Sequence, residues 1–568
     1  MSNSTGNSWR VPIKKLHTGV PGLDRVLGEG LPEYSFNLIA GGPGTGKTTL
    51  VHQIAFANAS ADCRALYFTV LGEPAIKMLR YQQQMSFFDP GKLDDTIRFV
   101  NLSQEVLERD LSHVLASIAR HVNEFDPRIV VVDSFRTVVR TIPALETGEM
   151  GLQSFVQHLA LHLTGWQATT FLVGEYLETE MRDNPVFTVA DGILWLHQTI
   201  ERNSSVRKLQ VMKMRGESPM PGLHTFRITS DGLQVYPRIL QRDKEVELPR
   251  PERRISTGIE GLDQMLHGGI PAGDAVLVAG PSGSGKSLFA TEFISEGVKS
   301  GESGVIAIFE EHPQEYVKRA KSLGFDLEAM VRQGKLRVIY LRPLDLSVDE
   351  TLQEIRESVG QVGAKRVVID SLSGFELALA PTFRDDFRES LYRMVGSLTG
   401  TGVTVLMTVE IAESFSDLRF SPHAVSFLAD DIILQRYVEI EGQLRKVMTI
   451  VKMRSSDHSK DLRAYEITSR GLLVGEVLSK YRGIITGVPE VREATQAAFP
   501  GLTDLEASVL QSLMDLREGS VEAIEKATGL RHSDLTRALN RLLVLRYVIK
   551  ATEDGKTIYR PVAQPLVR

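Results

Sequence analysis

The sequence predicts an α/β protein, two copies of a parallel-sheet domain followed by a small unit of three helices and a hairpin. Three observations carry the prediction. The chain matches itself at a near-constant offset, short β-branched runs alternate with helical patterns inside each copy, and the pattern changes beyond Pro500. At 568 residues the chain exceeds what one hydrophobic core supports.

The repeat opens with Thr18-Gly-Val-Pro-Gly-Leu-Asp24, which returns as Thr257-Gly-Ile-Glu-Gly-Leu-Asp263. Lys47 and Lys286 close matching glycine-rich segments 239 positions apart, and Lys213-Met-Arg215 returns as Lys452-Met-Arg454 at the same offset. Asp133-Ser134 and Asp370-Ser371, each after an apolar run, stand 237 apart. A register kept over that length marks duplication of a whole domain, expected at 1–247 and 248–490, with 491–568 as linker and third unit. Gln241 to Arg254 lacks apolar periodicity and reads as a linker, and a second boundary is expected near Pro489 to Pro500. Arg128 to Val132 and Val403 to Thr408 read as strands and Glu105 to Val122 as a helix, an alternation that implies βαβ units around a buried parallel sheet.

Composition narrows the function classes. With 42% hydrophobic and 24% charged residues, the chain reads as globular rather than disordered or fibrous. No stretch reaches the roughly 18 apolar residues of a membrane span, and the first ten residues lack the apolar core of a signal peptide, so a cytoplasmic chain with no membrane contact is expected. A net charge of -6 argues against a broad nucleic-acid-coating surface and leaves only local DNA contact. Cys63 is the single cysteine, which excludes an intrachain disulfide and reads as a small buried hydrophobe.

Gly41, Gly42, Pro43, Gly44, Thr45, Gly46, Lys47, Thr48 and Thr49 follow an apolar strand pattern and open a helical one. So do Gly280, Pro281, Ser282, Gly283, Ser284, Gly285, Lys286, Ser287 and Leu288. This is the context of a phosphate-binding loop. Glycines let backbone N–H groups curl around phosphates, the helix N-terminus favours negative charge, the lysine reaches the terminal phosphates, and the Thr48 or Ser287 hydroxyl ligates Mg²⁺. ATP with Mg²⁺ is therefore the expected ligand, and Asp133 and Asp370 fit the second carboxylate on the Mg²⁺ side.

Hydrolysis also needs a group that orients water or accepts its proton. The second copy offers Glu310 and Glu311 before Pro313, whereas alignment on Pro74 puts Leu71 and Gly72 at those positions in the first copy. The second domain is thus expected to be the better hydrolase and the first to hold ATP more as a structural ligand, unless Glu73 or Glu175 substitutes. Glu175 and Glu410 both end apolar runs, where a carboxylate emerges at the carboxyl edge of a sheet.

On these motifs the chain resembles the KaiC family within the RecA superfamily from about Ile13 to Glu490. The resemblance implies a double-ring homohexamer with ATP between subunits, ATPase activity, and in the second ring an autokinase and phosphatase acting on a Ser-Thr pair. It also implies that Lys213, Arg215, Lys452 and Arg454 reach a neighbour's ATP phosphates, and a KaiB-like or other signalling protein becomes a candidate partner. Without the resemblance, Lys213 and Arg215 read as charges on one face of an edge strand. Alignment on Asp430-Asp431 puts Ser426 at the family's phosphorylated serine but Phe427 at the adjacent threonine, so the two-site cycle is excluded and Ser426 alone remains. Pro32-Glu-Tyr-Ser35 lacks the glycine of Pro271-Ala-Gly273-Asp274, a sign of drift in the first copy, and the family's C-terminal peptide matches only from Arg482 to Pro489.

Beyond Gly501 the sequence reads as a winged helix. Thr503 and Glu506 form a capping box before a helix with Leu505, Val509, Leu510 and Leu513 inward. Ser520 caps a second helix ended by Gly529, Ser533 caps a third with Leu535, Ala538, Leu539 and Leu542 inward, and Tyr547 to Lys550 pairs with Thr557 to Arg560 as the wing. Thr536, Arg537, Asn540 and Arg541 are then the candidate DNA contacts. The leading expectation is a hexameric ATPase with serine autokinase activity. The alternatives are an ATP-gated DNA-binding regulator acting through the winged helix and, disfavoured by the acidic charge, a DNA motor.

Overall fold

The computed structural model describes residues 13–70, 75–107, 111–140, 148–201, 204–238, 253–341, 346–379, 383, 387–411, 428–454, 456–484, 490–491, 499, 501–553 and 556–562. The expected linker from Gln241 falls largely in 239–252, and Ser426 and Phe427 fall in 412–427, both outside the described residues.

Each copy is built on a nine-stranded sheet. In the first, Phe36–Gly41 is central, flanked by Thr169–Glu175 and Gly192–Glu201, and six strands from Ile97–Asn101 to Gly192–Glu201 run parallel. Three more, Ser204–Met214, His224–Thr229 and Gly232–Tyr236, extend it antiparallel. The second copy repeats this order around Ala275–Gly280. The expected parallel sheet is present in these six strands, and the antiparallel strands add to it a long hairpin, which needs no crossover helix and so leaves no βαβ signature in the sequence.

Alternate residues of the central strands feed two cores. Leu38 and Ala40 pack with the helices Leu111–Phe125 and Gly148–Gly165, whereas Ile39 packs with Leu50, Val51 and Ile54 of the helix Lys47–Asn58. Of the expected helix from Glu105 to Val122, the described parts fall in the helical stretches Ser103–Leu107 and Leu111–Phe125, and 108–110 lie outside the described residues. The repeated opening signature closes on itself, since Asp24 Oδ1 accepts from both the N–H and the hydroxyl of buried Thr18, as Asp263 Oδ1 does from Thr257. Loss of glycine in the first copy does not abolish its turn. Tyr34 takes φ 64° where Gly273 takes φ 89°, and their N–H groups donate to the equivalent Thr169 and Thr404 hydroxyls. Cys63 is half-buried against the first core, and burial pushes its thiol pKa up.

The C-terminal unit has helices Asp504–Leu516, Val521–Thr528 and His532–Val544 and a hairpin of Val548–Glu553 with Lys556–Pro561. Thr503 and Glu506 form the capping box, Ser520 caps the second helix and Gly529 ends it at φ 68°. Val509, Leu510, Leu513, Leu535, Ala538, Leu539 and Leu542 are buried together, with Leu505 partly so. The third helix is capped at Arg531 rather than Ser533, which lies inside its first turn. Thr536, Arg537, Asn540 and Arg541 are exposed, and Arg541 is held at 3.0 Å by Glu506. No helix among the described residues is long and apolar enough to cross a membrane.

The copies differ in what they bury. Arg366, 2% exposed, donates to Glu302 at 2.7 Å and to the carbonyls of Ser256 and Phe293. Breaking such a buried network strands a charge. Arg366→Ala should lower stability by about 3–5 kcal/mol, read by urea unfolding, and an unchanged midpoint would show that water replaces the guanidinium.

Asp431 is fully buried, and neither carboxylate oxygen has a hydrogen-bond partner among the described residues. Burial first, then the neighbouring Asp274 and Asp430, push its pKa up to about 8. The folded chain therefore holds a proton that the unfolded chain has released above about pH 4, so stability falls as pH rises from there through about 8. Burial lifts Glu292 to about 8 as well, adding to the same slope. Asp431→Asn should flatten the decline, measured as the difference in urea midpoint between pH 5 and pH 8; an unaltered slope would overturn the assignment.

Candidate active sites

Both glycine-rich segments join a central strand to a helix. Gly41 and Gly280 end their strands, and Gly46 and Gly285 precede the helices opened by Lys47 and Lys286. These last two glycines sit at φ 98° and 99°, left-handed backbone in which any side chain is strained. The helix N-terminus faces the carboxyl edge of the sheet, where oriented N–H groups favour an anion.

In the first copy this edge forms a cleft of about 510 Å³ lined by Gly44, Gly46, Lys47, Thr48, Thr49, Asp133, Ser134, Arg136, Thr137, Glu175 and their neighbours. Lys47 folds back to donate to the Gly42 carbonyl at 2.6 Å, as Lys286 does to Gly280 at 2.9 Å and Pro281 at 2.7 Å. Burial lowers the pKa of both lysines. Glu175 and Asp133 oppose the shift in the first site, and Glu410, Asp370 and Glu310 in the second. Each lysine thus donates to loop carbonyls beside these carboxylates.

Thr48 donates to Asp133 Oδ2 at 2.8 Å, and the Ser287 hydroxyl stands close enough to Asp370 to oppose the rise of its pKa. A hydroxyl beside a carboxylate at a phosphate loop is an all-oxygen donor set, which fits a hard cation such as Mg²⁺. Burial raises the pKa of both aspartates, while the bonds from Thr48 and Tyr67, or from Thr408 and Ser287, oppose the rise. Thr45 and Ser284 brace the loops through Gly42 and Gln435. Leu288 turns into the hydrophobic core, so its side chain does not enter the site.

The two glutamates before Pro313 part company. Glu310 accepts from the Ser371 hydroxyl and acts on Lys286, whereas Glu311 pairs with Arg319 at 2.6 Å. Burial raises the Glu311 pKa and Arg319 opposes the rise. Leu71, Gly72 and Glu73 lie outside the described residues. Glu175 and Glu410 stand at equivalent positions, paired in the sheet with Gly41 and Gly280.

Lys213 and Arg215 are not on an edge strand, because Ser204–Met214 lies inside the sheet. They sit at the end away from the phosphate loop: Met214 pairs with Gly192, which pairs with Asn37, at the far end of the strand from Gly41. Arg215 pairs with Asp191 and Arg454 with Asp430, both arginines about 60% exposed. Lys213 and Lys452 cap nearby carbonyls of Phe187, Thr188 and Ala429. Sequence reading missed Arg136, which reaches the first cleft in the grip of Glu180 at 2.6 Å, and the aspartate partners Tyr67 and Thr408.

Comparison with known proteins agrees with this geometry. The family model described as "ATPase: KaiC" matches twice, over residues 16–239 and 255–479. The circadian clock oscillator protein KaiC of Picosynechococcus sp. is 28% identical over 500 residues, covering 86% of this chain and 94% of that protein. The protein of the same description from Prochlorococcus marinus is 27% identical over 500 residues, covering 86% of this chain and 98% of its own. With both sheets, both phosphate loops and the family match in register, the chain belongs to the KaiC family of ATPases.

Proposed function

We propose that the protein is an ATP-hydrolysing ring assembly in which the second domain performs hydrolysis with Glu310 as the water-orienting base. The observation that carries this reading is that Glu310, rather than Glu311, bonds Ser371 and faces Lys286, while Leu71 takes the equivalent position in the first copy. In each site the loop N–H groups and the lysine bind the phosphates, and in the second Glu310 holds the attacking water and accepts its proton. Mg²⁺, held by Ser287 and Asp370 or by Thr48 and Asp133, would supply charge neutralisation between the β- and γ-phosphates. Lys286 and the loop dipoles stabilise the charge that develops on the leaving group.

A ring is supported by the sheet itself. About 13 Å of strand separates the Asn37 end, where Lys213 and Arg215 lie, from Gly41, so these cations cannot serve their own domain's ATP. Head-to-tail packing brings an exposed Arg215 or Arg454 to a neighbour's loop, and six copies close the ring. Ser426 is the candidate phosphate acceptor, Phe427 excluding a second. A KaiB-like or other signalling partner would read the nucleotide state.

The test is turnover of [γ-³²P]ATP, following released phosphate and label on the protein. Glu310→Gln should slow release by about 100-fold, and Glu311→Gln should leave most of it. Retained turnover in Glu310→Gln would sink the assignment and shift hydrolysis to the first site. Label lost in Ser426→Ala identifies an autokinase; absence of label from the wild type leaves an ATPase without kinase output.

A second reading rests on the exposed face of the helix His532–Val544. Thr536, Arg537 and Asn540 lie along it beside a hairpin, the arrangement of a winged helix that enters a major groove. Duplex DNA should then bind the full chain with strong salt dependence and bind Arg537→Ala more weakly, measured by fluorescence anisotropy. DNA affinity unaffected by removing 501–568 would reject it.

A further inference from the structure

The two domains hold their Mg²⁺-side aspartates with different residues on different neighbouring strands. In the first, Tyr67 on the strand Ala65–Thr69 donates its phenol to Asp133 Oδ2 at 2.8 Å, the same oxygen that Thr48 engages. Tyr67 is 1% exposed, and its ring packs 4.6 Å from that of buried His52, on the phosphate-loop helix one turn beyond Thr48. In the second domain Ile306 takes the position of Tyr67 and Thr291 that of His52, each in the same register with the aspartate strand or the loop helix. There Thr408, on the strand on the other side, donates to Asp370 Oδ1 at 2.5 Å. The first domain has Val173 at the position of Thr408, directly opposite Asp133 in the sheet.

From this exchange we infer that Tyr67 in the first domain and Thr408 in the second are positioning residues for the Mg²⁺-side carboxylate, alternative solutions to one requirement. The requirement is physical. An aspartate at the end of a buried strand has several rotamers, and a second donor beside Thr48 or Ser287 fixes the one that leaves the remaining lone pairs facing the cleft. Tyr67 is not among the residues that line the first cleft. Each acts through the aspartate, so its removal weakens the cation's contribution to binding and spares the nucleotide's own. The inference rests on the reading of the clefts as Mg²⁺–ATP sites.

The test uses the full chain with Lys286→Ala, so that a fluorescent ATP analogue reports the first site, and measures binding in EDTA and across a Mg²⁺ titration. Tyr67→Phe keeps the ring and should raise the half-saturating Mg²⁺ concentration about fivefold, the size of one net hydrogen bond, with EDTA binding unchanged. Adding Val173→Thr supplies a hydroxyl on the other side of Asp133 and should restore the original Mg²⁺ dependence. Thr408→Val in the Lys47→Ala chain should reproduce the shift at the second site. The inference is overturned by an unaltered Mg²⁺ dependence in Tyr67→Phe, by a parallel loss of EDTA binding, or by a defect that Val173→Thr leaves in place. A parent chain that binds no analogue overturns the nucleotide reading as well, which separates the two failures.

Discussion

A strand covered on both faces can hold a polar side chain in its middle only when that group is paired, so most of its chemistry collects at its ends, and that constraint arranges the whole molecule. The central strands of both sheets run through cores in which Leu38, Ala40, Val278 and Val368 are fully buried. The chemistry is expelled to one edge. Asp133, Asp370, Glu175 and Glu410 each end a parallel strand, and the glycine loops after Gly41 and Gly280 leave from the same edge. Packing, rather than any long-range attraction among charged groups, brings lysine, hydroxyl and carboxylates together.

Duplication kept this frame and let its polar fittings diverge. Gln53 and Glu292 do the same job, accepting the N–H of Leu233 and Leu472, yet one is neutral and the other a carboxyl pushed up to about 8. Asp191 and Asp430 each accept from the first residue of the central strand, but the next position is Gly192 in one copy and the buried Asp431 in the other. Arg366 stands where the first copy has Ile129. The second domain thus buries ionisable side chains that the first lacks at these positions, two of them carboxyls whose pKa burial raises to about 8.

The antiparallel extension gives each sheet a second chemical end. Its long hairpin returns the chain to the edge opposite the phosphate loop, where Arg215 and Arg454 sit tied to an aspartate and largely exposed. One domain therefore carries its glycine loop at one edge of the sheet and these arginines at the other. The C-terminal unit has its own apolar core, from Leu502 to Tyr559.

Much of this was legible in the chain because it is local. A strand ending in a glycine loop and a capping box at Thr503 and Glu506 are patterns of neighbours, backbone propensity acts over the same short range, and the offset of 239 residues is a repeat of such local patterns. The antiparallel strands, the inward turn of Leu288 and the separation of Glu310 from Glu311 were not legible. Neither were the partners of the aspartates, since Tyr67 lies 66 positions from Asp133 and Thr408 lies 38 from Asp370. The sequence by itself determined which residue types could do phosphate chemistry and that there are two sets of them. Only the tertiary structure decided which of those side chains meet, because sheet register and burial, not spacing along the chain, set the distance between atoms on different strands.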